Sequence, residues 1–161
     1  MPPAAASIPT DLRLRVVSAL SEVDADAWNG CANPGVPSSV QPKSEACATD
    51  ACLTQDIPYN PFISHEFLDC LEASGSATAR AGWQPQHLLA ETPDGAIAGV
   101  VPCYLKSHSR GEYVFDRGWA EAYERAGGQY YPKLQVSVPF TPATGRRLLL
   151  RPAANAEQIR A

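Results

Sequence analysis

Apolar positions divide this chain into short blocks with different periods. In "LRLRVVSAL" (12–20) apolar and charged residues alternate and then become continuously apolar, which predicts a strand. Ser21 follows as a candidate N-cap, with Asp24 three residues on, for a short helix through Trp28. Residues 31–58 contain four prolines, many small polar residues and no sustained period, and predict a flexible insertion. Ser64 then caps "HEFLDCLEAS", where Phe67, Leu68 and Leu71 are spaced for one buried helical face and Gly75 stops the helix. "QHLLAE" and "AIAGVVPCYLKS" flank the turn "TPDG" and predict a hairpin.

Farther on, Trp119 to Arg125 reads as one or two helical turns closed by Gly127-Gly128. Leu134, Val136, Val138 and Phe140 alternate with Lys133, Gln135 and Ser137, which predicts a strand whose apolar set is buried. After it the chain enters a loop, "TPATGRR", with a helix expected to begin beyond. Trp28, Phe62 and Trp83 are expected in the core. The order β-α-(insertion)-α-β-β-(α)-β places the chain in the α/β (α+β) class, with a mixed, mostly antiparallel sheet flanked by helices. Residues 1–30 supply the first strand and helix, 31–58 the insertion, and 59–161 the remainder of the same domain.

Composition narrows the classes. At 161 residues the chain has the length of one domain. No run of 18 apolar residues exists to span a membrane. The start, "MPPAAASIPTDLRLR", lacks the basic segment and apolar core of a secretory signal, so a cytoplasmic or organelle-stromal setting is expected. Residues 1–80 carry 4 Lys and Arg against 10 Asp and Glu, while 81–161 carry 9 against 7. A net charge of −4 argues against sequence-independent nucleic-acid binding. The local cluster of Arg146, Arg147 and Arg151 reads either as a phosphate receiver or as the solvated basic end of a strand.

Five cysteines, with no C-x-x-C, do not make a disulfide framework. Cys70 and Cys103 sit in apolar patterns and should be small buried hydrophobes. Cys31, Cys47 and Cys52 fall in the predicted loop, where His65 would be the fourth member of a zinc set. The spacing is not that of a known finger, so reduced thiols and no metal are expected.

Two longer blocks are more specific than any period: "NPFISHEFLDCLEASGSATARAGWQPQHLLAE" and "YLKSHSRGEYVFDRGWAEAYERAGGQYYPKLQVSVPFTPATGRRLL". From about Asn60 to Arg151, and weakly over 12–30, the chain resembles a FemAB-like, peptidoglycan-biosynthesis-labelled family of the acyl-CoA N-acyltransferase (GNAT) superfamily. The resemblance implies a GNAT-like fold, an acyl-CoA co-substrate and an amine acceptor. A version using aminoacyl-tRNA would want a large basic face, which this chain lacks. It also implies that "QVSVPF" pairs its backbone, at Val138, with the pantetheine arm. Thr141, Thr144, Gly145, Arg146 and Arg147 would then cradle the pyrophosphate with hydroxyls, close backbone and guanidinium groups. Only one glycine stands in that loop, so the superfamily's R/Q-x-x-G-x-G/A fingerprint is not reproduced.

Acyl transfer to an amine needs a base for the ammonium proton and an acid for the departing thiolate. Glu112 or His108 would be the base, and Tyr130 or Tyr131 the acid. The competing reading pairs Glu112 and Asp116 with Arg110 and Arg117 on a surface turn. Family members lack the 31–58 insertion and continue into a second acyltransferase-like half. The resemblance therefore implies an incomplete GNAT-like fold, from a truncated gene product or a fragment, that is inactive alone. The unpaired edge of "LQVSVPF" would invite self-association. The other class is a non-catalytic remnant or binding half-domain.

Overall fold

The computed structural model describes residues 11–35 and 57–152. Seven strands and three α-helices alternate along these residues, and every strand pairing is antiparallel. The arrangement belongs to the α+β class. The strands form two sheets. The first has the order β1-β3-β4-β7, from Arg13–Val17, His87–Glu91, Ile97–Val101 and Leu149–Leu150. The second has the order β2-β5-β6, from Trp83–Pro85, Cys103–Lys106 and Lys133–Val136.

The hairpin β3–β4 forms where expected, its turn closed by Thr92 N–H to Ala96 O and Gly95 N–H to Thr92 O. The predicted second arm does not stay one strand. Pro102 divides it into β4 and β5, and the two pieces join different sheets. A proline offers no amide to a ladder, so the run breaks there and the chain passes from one sheet to the other.

Helix α1 (Ala25–Ala32) starts one turn later than predicted. Ser21 lies in a 3-10 turn, Leu20–Glu22, and Asp24 is the cap, accepting from the Ala27 amide at 2.8 Å. The helix consequently extends past Trp28 and takes in Cys31, which is buried in it and not in a loop. Helix α2 (His65–Ala73) is capped by Ser64 as expected, with Gly75 in the left-handed region beyond its end. Cys70 falls on the exposed side of α2, whereas Cys103 is buried on β5. On a helix the buried stripe passes through Leu68 and skips position 70, which an apolar neighbourhood in sequence does not reveal.

The main core lies between the first sheet and the helices. Val17, Leu20, Trp28, Ile63, Leu68, Leu89, Val100, Val138 and Leu149 are all at most 2% exposed. Trp28 also donates its indole N–H to Ile63 O at 2.9 Å. Buried polar groups tie the layers. His65 Nε2 reaches Leu20 O (2.9 Å) and Val23 O (3.0 Å), so that nitrogen carries the proton. Glu72 accepts from the Leu20 amide and from His87 Nε2, both at 2.8 Å. The other His87 nitrogen accepts from Cys103 N–H, so this chain of bonds joins α2 to both sheets.

Phe62 is corrected from core to surface: it is 40% exposed and meets Phe67 edge-on at 5.3 Å. Of the predicted insertion, residues 36–56, including Cys47 and Cys52, lie outside the described residues. Among the described residues no helix is long and apolar enough to cross a membrane.

Candidate functional site

The second sheet reverses the burial predicted for its last strand. Leu134 is 68% exposed and Val136 39%, while Lys133, Gln135 and Ser137 are partly buried. Leu134 and Val136 point outward because the inward face of this sheet carries Lys106 and Lys133 beside Trp83 and Tyr104, while Val138, beyond the strand, is buried as expected. Lys106 on β5 lies directly opposite Lys133 on β6. Two ammonium groups facing each other repel, and each is met by its own carboxylate: Glu112 on Lys106, and Asp116 on Lys133. The strand also ends at Val136, short of the predicted Phe140, whose φ of 58° is incompatible with a ladder.

These pairings replace the expected Glu112 and Asp116 pairs with Arg110 and Arg117. Lys106 is fully buried, and its Nζ sits 3.4 Å from the centroid of the Trp83 ring. Burial holds its pKa below the usual lysine value, against the opposing pull of Glu112. Asp116 behaves oppositely. Burial alone would raise its pKa, but hydrogen bonds from Lys133, Tyr131 and Ser109 outweigh that and bring it to about 2.

Tyr131 donates its hydroxyl to Asp116 at 2.8 Å and lies 2.6 Å from Ser109 Oγ. Burial and the Asp116 charge raise its pKa, and its hydroxyl is engaged with Ser109 and Asp116 at the two ends of the stretch 109–116. Tyr130 lies over Lys133 at 4.4 Å. His108 stands apart from both carboxylate pairs. Its ring lies so close to Gly82 that a Cβ there would come within 2.6 Å, and Nδ1 accepts from Arg110 N–H at 3.3 Å.

Two clefts bracket the loop after β6. The smaller, about 290 Å3, is lined by Glu112, Gln135, Ser137, Val138, Thr141 and Arg147, among others. It brings one predicted base together with three of the predicted donor-binding residues. The larger, about 820 Å3, is lined by residues 57–63 on one wall and Thr141 to Arg146 on the other, so Thr144, Gly145 and Arg146 belong to it. Thr141, Pro142 and Ala143 form the partition between the two.

The loop's cations are engaged inside the protein. Arg146 donates to Ala32 O at 2.6 Å, placing a positive charge on the C-terminus of α1. Arg147 donates to the carbonyls of Ala143, Gly145 and Arg146. Gly145 has φ of 142°, and a Cβ on it would stand 2.6 Å from Asn60 Nδ2, which donates to Thr144 O. Among the described residues no helix follows the loop. The chain becomes β7 and pairs with β4 through Leu149–Val100 and Leu150–Gly99. The apolar run "LLL" supplies the strand Leu149–Leu150 at the edge of the first sheet.

Sequence reading missed Lys106, Lys133 and the partner role of Asp116. The signal was available in part: Glu112 follows Lys106 in the same stretch, but Asp116 lies well before Lys133, and the cross-strand register that brings the lysines together is not local information. Beside Glu112, Tyr113, Val114, Phe115 and Trp119 are all more than 60% exposed, giving an apolar shelf next to the smaller cleft. No group of His, Cys, Asp and Glu suited to a metal ion occurs among the described residues.

No curated protein and no solved structure matches the chain. Residues 19–161 match the profile of the FemAB-like family, described as peptidoglycan biosynthesis/recognition, and with that match covering most of its length the chain belongs to this family.

Proposed function

We propose that this protein transfers an acyl group from acyl-CoA to an amine of a peptidoglycan-type acceptor, with Glu112 as the base. Family membership supports a transferase-type function. The observation that carries the reading is the 290 Å3 cleft, where the Glu112 carboxylate shares a wall with Val138, Thr141 and Arg147.

Lys106 fixes Glu112 from behind, so the carboxylate is oriented before any ligand arrives. In the reaction Glu112 takes one proton from the acceptor ammonium, and the freed amine attacks the thioester carbonyl. The C–N bond forms as the C–S bond breaks, and the second nitrogen proton goes to the departing thiolate. The pantetheine thioester lies along Val138. With Arg146 and Arg147 engaged by backbone carbonyls and a strand following the loop, the Thr141 and Thr144 hydroxyls are the groups offered to the phosphates. Tyr131 positions the loop that carries Glu112.

A second reading, recognition of the acceptor without turnover, draws on the shelf of Tyr113, Phe115 and Trp119. Thermal-shift titration with acetyl-CoA, followed by acetyl transfer to a stem-peptide amine, separates the two. The first reading expects stabilisation of the full chain and turnover lost in Glu112→Gln. Peptide binding without acetyl-CoA stabilisation selects the second reading and the inactive chain that the sequence suggested. Full turnover by Glu112→Gln would exclude Glu112 as the base.

A further inference from the structure

Among the described residues β6 is an edge strand, bonded to β5 on one side. Its alternate amide and carbonyl groups face away from β5, and only another strand can pair with such a row. The outward side chains next to that row are Leu134 and Val136, both exposed.

The sequence of β6 is complementary to itself. Set antiparallel about Gln135, Leu134 meets Val136 of a second copy, Lys133 meets Ser137, and Gln135 meets Gln135. Apolar faces apolar and amide faces amide. No like charges oppose each other, and the Lys133 charge is already met by Asp116. Antiparallel pairing of identical strands is a two-fold, isologous contact, the commonest symmetry of protein assemblies.

The geometry points to a homodimer formed by β6 pairing with β6 of a second copy. It joins two 3-stranded sheets into one continuous sheet. Because Gln135 and Ser137 face the smaller cleft in each copy, both Glu112 clefts open on the same side of that sheet.

The test is the mass of the full chain in solution, by light scattering and sedimentation over a concentration series. A dimer that dissociates on dilution is expected. Leu134→Lys with Val136→Lys sets lysine against lysine across the two-fold axis and should return the chain to monomer. Leu134→Lys with Val136→Glu sets opposite charges together in the same register and should restore the dimer. Both positions are exposed, so circular dichroism should report the same fold for all three chains. A wild-type monomer up to about 100 μM, where even weak association registers, would overturn the proposal. So would a dimer indifferent to the double lysine, or equal behaviour of the two charged variants.

Discussion

The two sheets are assembled on opposite principles. The first buries a continuous apolar cluster, with Leu89, Val100 and Leu149 from three of its strands under Trp28 and Leu68 from the helices. The second has a small apolar centre of Ala77, Trp83 and Tyr104, and beside it two lysine–carboxylate pairs. An apolar core gains free energy in proportion to the area it removes from water, whatever its geometry. A buried ion pair gains little net stability and fixes positions instead. The contrast assigns stability mainly to the first sheet and orientation of the candidate site to the second.

The largest effect should come from the first sheet. Trp28→Ala removes a fully buried ring and leaves Ile63 O without its donor, so a loss of about 4–5 kcal/mol is expected in urea denaturation. A loss below about 1 kcal/mol would break the division between the sheets.

The second sheet should respond differently to single and double changes. Lys106→Met leaves Glu112 facing a buried apolar group and should cost about 3 kcal/mol. Adding Glu112→Leu removes the uncompensated charge and should return the chain to within about 1 kcal/mol of wild type while abolishing any acyl transfer. No comparable rescue exists for Trp28→Ala, so the double-mutant comparison distinguishes the two kinds of core.

Gly145→Ala should cost about 2 kcal/mol, because the new methyl meets Asn60 Nδ2 and breaks the bond to Thr144 O. Asn60→Ala in the same background should reduce the penalty, since it removes the clash. If it does not, backbone strain at φ 142° dominates over the contact.

How much of this was legible in the sequence follows the same division. Helix α2, the β3–β4 hairpin and the buried Trp28 and Trp83 could be read because period and caps are local, whereas α1 was read with its cap one turn early, at Ser21 instead of Asp24. The second sheet could not. Its short strand β2 carries too few residues to show a period, and Pro102 divides a run that looks continuous. The alternation in β6 was seen, but its burial was inverted, because a stripe of Lys133 and Gln135 turns inward only when carboxylates from elsewhere receive it. The candidate site was half legible: Glu112, Val138, Thr141 and Arg147 were named and share a cleft, whereas Thr144, Gly145 and Arg146 line the other one. The contact of Arg146 with the carbonyl end of α1 was not legible, because the two lie more than a hundred residues apart in sequence.

Asp116→Asn should have a smaller effect, about 1–2 kcal/mol near neutral pH, from loss of the charged hydrogen bonds to Lys133 and Tyr131. Its signature is in acid. The folded carboxyl is depressed from 3.8 to about 2, so its contribution is complete above about pH 4 and is lost as pH falls toward 2. The wild type should therefore lose stability over that window more steeply than Asp116→Asn, in melts at pH 4, 3 and 2. Equal slopes would show that Asp116 is not held as a charged anchor.

The smallest effect should be at the Arg117–Glu121 pair on α3 (Arg117–Arg125). It matches the Lys133–Asp116 pair in chemistry and differs in setting: its side chains are 88% and 52% exposed, against 25% and 18%. Water already solvates both partners, so joining them removes little solvation and gains little. Glu121→Gln should change stability by less than about 0.5 kcal/mol, and salt should erase the difference. Because α3 carries Trp119 and Tyr123 outward, this variant also reports whether the helix is held by its own surface charges or by its N-terminal anchor. Fluorescence of Trp119 should stay unchanged in Glu121→Gln and shift in Asp116→Asn. The opposite pattern would mean that α3 is positioned by its own surface pair and not by the lysine of β6.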